Sequence, residues 1–534
     1  MGSNGTKVFL KQNVVVEPLF NQWYAWPYLI APAAAAMFTA NWHMKIMQSF
    51  ISSPQVHIAA LKNPAMLGGP FLNYDASRVP DIKNLMKTTS KQCAPLLDFA
   101  DAVKACDEML KREANGCSLE SHYAKVPELL KGYVELTYDL NHNASLRFVE
   151  ALLYKSRYYD ESAQSVMLSL VDKDERSFVF STPRLPDEQR LHLHRPFRDR
   201  AFDELFRLKR EPQPYEYIKE VFGITGEDEA LFSSFFTHEA PGDAVKYNDE
   251  GMVVRYLGHA CILVESKEIS ILCDPVISYR DSTDDGRYTY CDLPDVLDYV
   301  LITHNHADHC MFETLLQLRH KIKQIIVPRN NGGSLVDPSL KLVLQNIGFD
   351  NVTEIDEMES IPVPGGSITG LPFLGEHADL NIRSKTAHLI NLHGKSVLCA
   401  ADSNNIEPRL YQHVHEIVGD VDLLFLGMEC DGAPLSWLYG PLLTAPVSRT
   451  VDQSRRLDGS NFERGMSIVE QLNPKQVYVY AMGLEPWLAY LTSIQYTDQS
   501  RPIIESSKLV DECRRRGLVA ERLFGQKKIS LPAA

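Results

Sequence analysis

The decapeptide Leu301–Cys310, Leu-Ile-Thr-His-Asn-His-Ala-Asp-His-Cys, constrains this chain more than any other stretch. It places His304, His306, Asp308 and His309 within six positions, at the end of an apolar run that begins at Val296. Burying three imidazoles and a carboxylate is costly unless something compensates. Side chains alternate along extended chain, so His304 and His306 point one way, while Asp308 and His309 follow in a turn and reach a second point nearby. Two neighbouring metal ions, one served by each pair, satisfy all four groups. A polar loop capping a helix that starts near Met311 is the plain alternative, and it leaves so dense a pattern unexplained.

At 534 residues the chain exceeds what one hydrophobic core supports, so two domains are expected. An apolar fraction of 45% and a charged fraction of 23% are those of an ordinary globular protein. The formal charge of −15 argues against nucleic acid as a partner, because phosphate binding needs clustered Lys and Arg. None of the ten Cys residues forms a Cys-x-x-Cys pair, so no zinc knuckle or iron–sulfur cluster is encoded, and reduced thiols in a cytoplasmic protein are expected. The apolar stretch 23–40 holds Pro27 and Pro32 and reads as a buried segment rather than a membrane span.

Residues 1–245 alternate helical and extended pieces and read as an α+β N-terminal domain. Pro80–Leu130 is mostly helical by its apolar spacing, and Phe178, Val179 and Phe180 suggest a strand. The basic segment Arg190–Arg210 reads as a solvated helix face, with docking of an acidic partner as the sharper alternative, and His192 and His194 read as surface histidines. Pro241 and Gly242 mark a boundary, and 246–534 form the second domain. Short β segments follow: Met252–Leu257, Ala260–Val264, Ile269–Cys273, Gln324–Pro328, Val352–Ile355, Ser367–Phe373, Ala387–Leu392, Ser396–Ala400, Asp422–Leu426 and Gln476–Tyr480. Helices are expected after the metal motif and at Ser339–Gly348. Two sheets covered by helices suit this order.

Gly258-His259, the strand end at Asp274-Pro275, the Thr303–His309 motif and Asp402 behind an apolar strand resemble the metallo-β-lactamase fold over roughly residues 250–500. The resemblance implies an αββα sandwich. Most members are zinc hydrolases that draw on two further His ligands, one in the middle and one late in the domain. The late one would fall near Ala481 or Met482, and no His follows His415. The middle one should fall at Leu374-Gly375-Glu376-His377. Glu376 and His377 are adjacent, so in extended chain only one of them points inward. If it is Glu376, three imidazoles and three carboxylates result: His304, His306 and Glu376 on one metal, with Asp308, His309 and Asp402 on or across the other. Such an oxygen-rich set suits iron that activates oxygen better than zinc.

In these features the chain resembles the diiron β-hydroxylases of nonribosomal peptide assembly, which have an N-terminal domain of similar size, a Gly-Glu-His sequence matched by Gly375-Glu376-His377, and a bridging Asp matched by Asp402. A further acid near their cluster corresponds to Glu429. The resemblance implies a non-haem diiron monooxygenase that hydroxylates the β-carbon of an amino acid, leucine-like or aromatic, held as a thioester on a carrier domain. Glu376 and Glu429 are its expected catalytic carboxylates. Two iron ions, O2, an external electron donor from a separate reductase and a homodimer complete the expectation. Arg190–Arg210 or Arg514–Arg516 is the expected carrier-docking patch. His259, at a strand turn, is expected to be structural or to stand behind the ligands, and Asp274 to orient the motif loop through hydrogen bonds rather than bind metal. His413 and His415 are expected to be solvated, and Asp431 to be a turn residue. A dinuclear zinc hydrolase of a thioester, lactone or phosphodiester is the alternative.

Overall fold

Strands whose odd and even residues are both apolar must be covered on both faces. The structure, a computed structural model describing residues 6–242, 247–280 and 286–532, meets that requirement with two seven-stranded sheets. The first runs Val352–Ile355, Ile322–Pro328, Leu297–Leu301, Ser270–Cys273, Ile262–Ser266, Met252–Tyr256 and Lys527–Leu531. The second runs Ser360–Val363, Gly366–Leu371, Ala387–Leu392, Lys395–Cys399, Leu423–Gly427, Gln476–Tyr480 and Val519–Arg522. Ile271, Leu301, Ile326, Ile390, Val397 and Phe425 fill the space between the sheets. One residue along each strand, Leu389, Leu398, Leu424 and Val477 turn the other way into a core with helices Arg409–Val418, Phe462–Leu472 and Arg501–Arg515. This is the expected αββα sandwich. The expected strands fall within two residues of those observed, while Ser360–Val363, Val519–Arg522 and Lys527–Leu531 were not anticipated. Lys527–Leu531 pairs antiparallel with Met252–Tyr256, so the end of the chain closes the sheet on which the second half begins.

The outer face of the first sheet, with Leu272, Val300 and Ile325, shares one buried apolar cluster with helix Phe312–Leu318 and with N-terminal residues from Val8 to Phe236. The N-terminal region contains a four-stranded sheet around Val14–Phe20 and Gln164–Leu170, with helices Met44–Ser52, Val79–Gln92 and Ala94–Glu113. The expected boundary at 245/246 lies outside the described residues. The stretch 23–40 is buried up to Thr39, as read, and holds two short helices, Pro27–Ile30 and Pro32–Phe38, that each begin with a proline. Among the described residues no helix is long and apolar enough to cross a membrane.

Two readings of the N-terminal region change. Phe178–Phe180 is not a strand: the Val179 N–H donates to the Tyr490 carbonyl at 2.9 Å, and the Phe180 ring packs on Trp26 and Trp437. The aromatic run serves packing across the molecule, which propensity alone cannot distinguish from strand pairing. The basic segment is neither one helix nor free. Arg195 pairs with Asp199, Arg198 with Glu161, Arg200 with Asp203 and Asp350, and Arg210 with Asp295. Lys209 is buried, and so are both ring nitrogens of His192, whose pKa burial lowers to about 4. Arg515 and Arg516 likewise pair with Glu512.

Candidate metal centre

Every candidate residue sits just past the carboxyl end of a strand, where the parallel register Cys273↔Leu301 and Cys399↔Phe425 brings the following loops to one edge. Leu301 leads to His304, Cys273 to Asp274, Leu371 to Glu376, Cys399 to Asp402 and Gly427 to Glu429. The backbone is bent sharply there: Asp274, Glu376 and Ala401 have φ of 40°, 67° and 47°. Conformations so unfavourable for non-glycine residues persist only where the surroundings enforce them. Two glycines permit the approach. A Cβ on Gly375 (φ 79°) would run into Asn404, and one on Gly427 would come within 2.5 Å of Asp402 Oδ1.

Hydrogen bonds on the outer side of the imidazoles decide which nitrogens face inward. Asp274 accepts from the Thr303 N–H (2.7 Å), the Thr303 hydroxyl (2.6 Å) and His309 Nδ1 (2.8 Å). With the Thr303 proton committed to Asp274, its oxygen accepts from His304 Nδ1 at 3.0 Å. In the neutral rings His304 Nε2 and His309 Nε2 therefore carry the lone pairs, and both are buried and make no hydrogen bond. His309 Nε2 lies 3.1 Å from Asp402 Oδ2, and His304 Nε2 lies 3.8 Å from both Asp402 Oδ2 and Glu376 Oε2. His306 turns Nδ1 to Glu376 Oε1 at 2.7 Å and Nε2 to the Tyr439 hydroxyl at 2.7 Å. Asp274 thus has the orienting place read for it.

His259 presents Nδ1 to the Gly483 N–H at 3.3 Å, so its Nε2 carries hydrogen and donates to Asp308 Oδ2 at 3.2 Å. It orients Asp308. Glu376 and His377 do not face opposite ways as strand alternation would require. The left-handed turn at Gly375–Glu376 brings both to one side, with His377 Nδ1 2.8 Å from Glu376 Oε2. Donor atoms gather within 4.8 Å of one another in three groups: His304, His306 and Glu376; His304, His309 and Asp402; and His259, Asp308 and His309. Among the described residues His377 joins none of them.

Electrostatics mark the place as one that lacks positive charge. Burial disfavours charge on His304 and, with the neighbouring imidazoles, holds its pKa well below the usual value. Burial opposes charge on His309 too, but Asp402 and Asp274 overcome it and raise that pKa. The Glu429 carboxyl makes no hydrogen bond or ion pair among the described residues, although its backbone carbonyl accepts from the Gly459 N–H at 2.8 Å. Burial, then Asp402, Asp458 and Asp431, push its carboxyl well above the usual range. Buried donor atoms of His304, His309, Glu376 and Asp402, converging on one another from three strand ends, fit a pair of metal ions.

A cleft of about 290 Å³ opens over the group, floored by His306, Asp308, Glu376, Asp402 and Glu429. Apolar side chains from both halves of the chain stand in its walls, Leu67 and Phe180 from the first and Trp437, Leu457 and Leu491 from the second, with Arg456, Thr492 and Ser493 between them. Ala481 and Met482 line it where a hydrolase would have its late His. Asp431 also reaches the cleft, beside Arg456 at 3.4 Å, a role its turn position did not suggest. His413 and His415 lie exposed on their helix, near Glu416 and Asp420. Tyr439 was not anticipated, since nothing near it in sequence marks it.

The N-terminal domain model of the diiron non-haem β-hydroxylases matches residues 9–241, and the β-lactamase superfamily domain model matches residues 270–457. The 4-amino-L-phenylalanyl-[CmlP-peptidyl-carrier-protein] 3-hydroxylase of Streptomyces venezuelae is 40% identical over 531 residues, covering 98% of this chain and 99% of that protein. The crystal structure of CmlA, a diiron β-hydroxylase from Streptomyces venezuelae, superposes with a TM-score of 0.92 at 39% identity, over 99% of this chain and 100% of that one. A point mutant of the CmlA β-hydroxylase gives a TM-score of 0.90 at 39% identity, over 98% of this chain and 100% of that one.

Proposed function

We infer that this chain, which belongs to the diiron non-haem β-hydroxylase family, hydroxylates the β-carbon of a leucine-like or aromatic aminoacyl group carried as a thioester on a carrier domain of a nonribosomal peptide synthetase. The chain is a diiron monooxygenase, and its two iron ions and O2 are those of its family. The carrier is supported by the activity of the Streptomyces venezuelae relative. One observation carries the reading of the site: Glu376, not a late imidazole, faces His304 and His306.

His304, His306 and Glu376 would hold one iron, and His309, Asp308 and Asp402 the other. When bound, such a centre supplies reductive activation of O2 and removal of a hydrogen atom from a strong C–H bond. The protein's own share is positioning. Leu67, Phe180, Trp437, Leu457 and Leu491 take up an uncharged side chain and keep water from the floor of the cleft. Glu429, whose ionisation burial and the acids around it disfavour, is placed on that floor to hold or pass a proton. His259, Thr303 and Asp274 fix the ligands from behind.

In this reading residues 1–245 serve carrier docking and dimerisation, and 246–534 are catalytic. A separate reductase supplies electrons, since the sequence carries no nicotinamide or flavin fingerprint. Ten free thiols support a cytoplasmic location. Metal analysis of protein grown without added metal, followed by assay with aminoacyl-loaded carrier, O2 and reductant, tests the reading. About two iron per chain and O2-dependent gain of one oxygen at the β-carbon are expected. Two zinc with release of the thioester overturns it.

A further inference from the structure

Glu376 faces the metal loop because the backbone turns left-handed at Gly375 and Glu376, with φ of 79° and 67°. So costly a turn needs holding. On one side stands Asn404, whose N–H donates to the Leu374 carbonyl at 2.9 Å. On the other stands the segment Arg383–Thr386, tied to the metal loop at successive residues. Asn305 Nδ2 donates to the Ser384 hydroxyl at 3.1 Å, Lys385 lies in antiparallel register with His304, and the Thr386 N–H donates to the Thr303 carbonyl at 2.8 Å. Fully buried Asp337 fixes the start of the segment, accepting from the Arg383 N–H at 2.9 Å and from the Ser384 hydroxyl. The Lys385 side chain then crosses to the other loop, where its Nζ donates to the Gly375 carbonyl at 3.1 Å. Among the described residues this half-buried ammonium forms no ion pair, and it otherwise lies over the Phe373 ring, 5.6 Å from its centre.

Lys385 thus holds both ligand loops, its backbone against His304 and its ammonium on the turn that carries Glu376. A competing ligand is next door. His377 is buried, its Nε2 has no hydrogen-bond partner, and its ring stacks on His306 at 4.7 Å. A turn free to relax toward extended chain would let His377 take the inward place, since neighbours alternate there. We propose that Lys385 is a positioning residue that clasps the Gly375–Glu376 turn to the His304 loop and so presents Glu376, and not His377, to the metal pair. The proposal rests on the reading of His304 and Glu376 as ligands. It adds what keeps the donor set rich in carboxylate, and so what sets the preference for iron.

The test uses K385M as full-length protein, with K385Q to carry the same comparison should K385M fail to fold. Hydrogen exchange over residues 374–377 and thermal melting are followed in the metal-free forms. Iron is then loaded and titrated out with a chelator while the visible spectrum is recorded. K385M keeps the side-chain stem and removes the donor, so exchange at the turn should quicken while the strands around it keep their protection. Iron affinity should fall about 10- to 100-fold, the usual effect of losing a partner behind a ligand, and the spectrum should shift. The sign of the change separates positioning from charge. Removing a cation beside a metal pair would by itself tighten binding of the ions, the opposite of what positioning predicts. Unchanged or tighter binding therefore overturns the proposal, and so does a lower melting point with exchange at the turn and spectrum as in wild type. If the wild type holds zinc, the oxygenase reading falls, and exchange in the metal-free forms with the same titration in zinc still decides the role of Lys385.

Discussion

Glu313 and Glu376 are both buried carboxylates, 2% and 7% exposed, and their surroundings could hardly differ more. Glu313 opens the helix behind the metal loop and is saturated. It accepts from the hydroxyls of Tyr24 (3.0 Å), Tyr279 (2.7 Å) and Tyr490 (3.0 Å), and it pairs with Arg176 at 3.0 Å. Arg176 also pairs with Glu17, which Arg184 holds at 2.8 Å and 2.9 Å. Glu17, Tyr24, Arg176 and Arg184 come from the N-terminal region, so this cluster joins the two halves. Glu376 faces only imidazoles, with His306 Nδ1 2.7 Å from Oε1 and His377 Nδ1 2.8 Å from Oε2, and neither a guanidinium nor a hydroxyl meets it among the described residues. A carboxylate whose every lone pair is met is structural. One left with spare lone pairs among other spare lone pairs waits for a cation.

The sharpest way to break this contrast is to truncate each acid. Glu376→Ala should abolish iron retention and reduce hydroxylation to background, while the metal-free protein loses only the contacts of this acid with His306 and His377 and melts modestly below wild type. Metal analysis with calorimetry checks it. Loss of the fold with iron retained would reverse the roles assigned to the two acids. Glu313→Ala should instead strip three hydroxyls and a buried guanidinium of their acceptor. Arg176 keeps Glu17, but each buried hydroxyl left without an acceptor costs about 1–3 kcal/mol, so the urea midpoint should fall clearly. The fraction still folded should bind as much iron per chain as wild type.

The contrast also shows what could be read in advance. The His304–His309 motif was legible because its chemistry is local: the ligands share one strand end and one turn, and burial of so many polar groups needs a reason. The sandwich was legible because each of its strands shows its own apolar run. Glu376 was named through the missing late His and a family likeness, and the alternation argument used for it does not hold, since Gly375 and Glu376 both take left-handed backbone. Tyr439 and Glu313 were out of reach. Tyr439 meets a residue 133 positions away, and the partners of Glu313 lie up to 289 positions away, so only the packed chain brings them together. The same holds for Lys527–Leu531, whose alternating exposure is that of an ordinary short edge strand.

The smallest expected effect lies in how two acids of the N-terminal region respond to pH, and here the signs oppose. Burial works against ionisation of Glu17, but Arg184 and Arg176 outweigh it and hold its pKa well below the usual carboxylate range. A carboxyl whose folded pKa is depressed stabilises above its unfolded value of ~4.3, and that contribution is lost as pH falls below it. Glu150 accepts from Asn330 Nδ2 at 2.8 Å and from the Ser339 N–H at 2.9 Å, so it too ties the N-terminal region to the second half. Burial dominates those bonds, however, and raises its pKa from 4.5 to about 7. A carboxyl raised in the folded state favours folding while protonated, and that advantage drains away as pH climbs from 4.5 to about 7. Glu17→Gln should therefore flatten the loss of stability on the acid side, on top of an overall drop from the unpaired arginines. Glu150→Gln should flatten the decline between pH 4.5 and 7 and leave the acid side unchanged. Urea melts of the two variants across pH 3 to 8 separate the cases, and equal slopes in both would remove the distinction between an acid held by cations and one held only by amides.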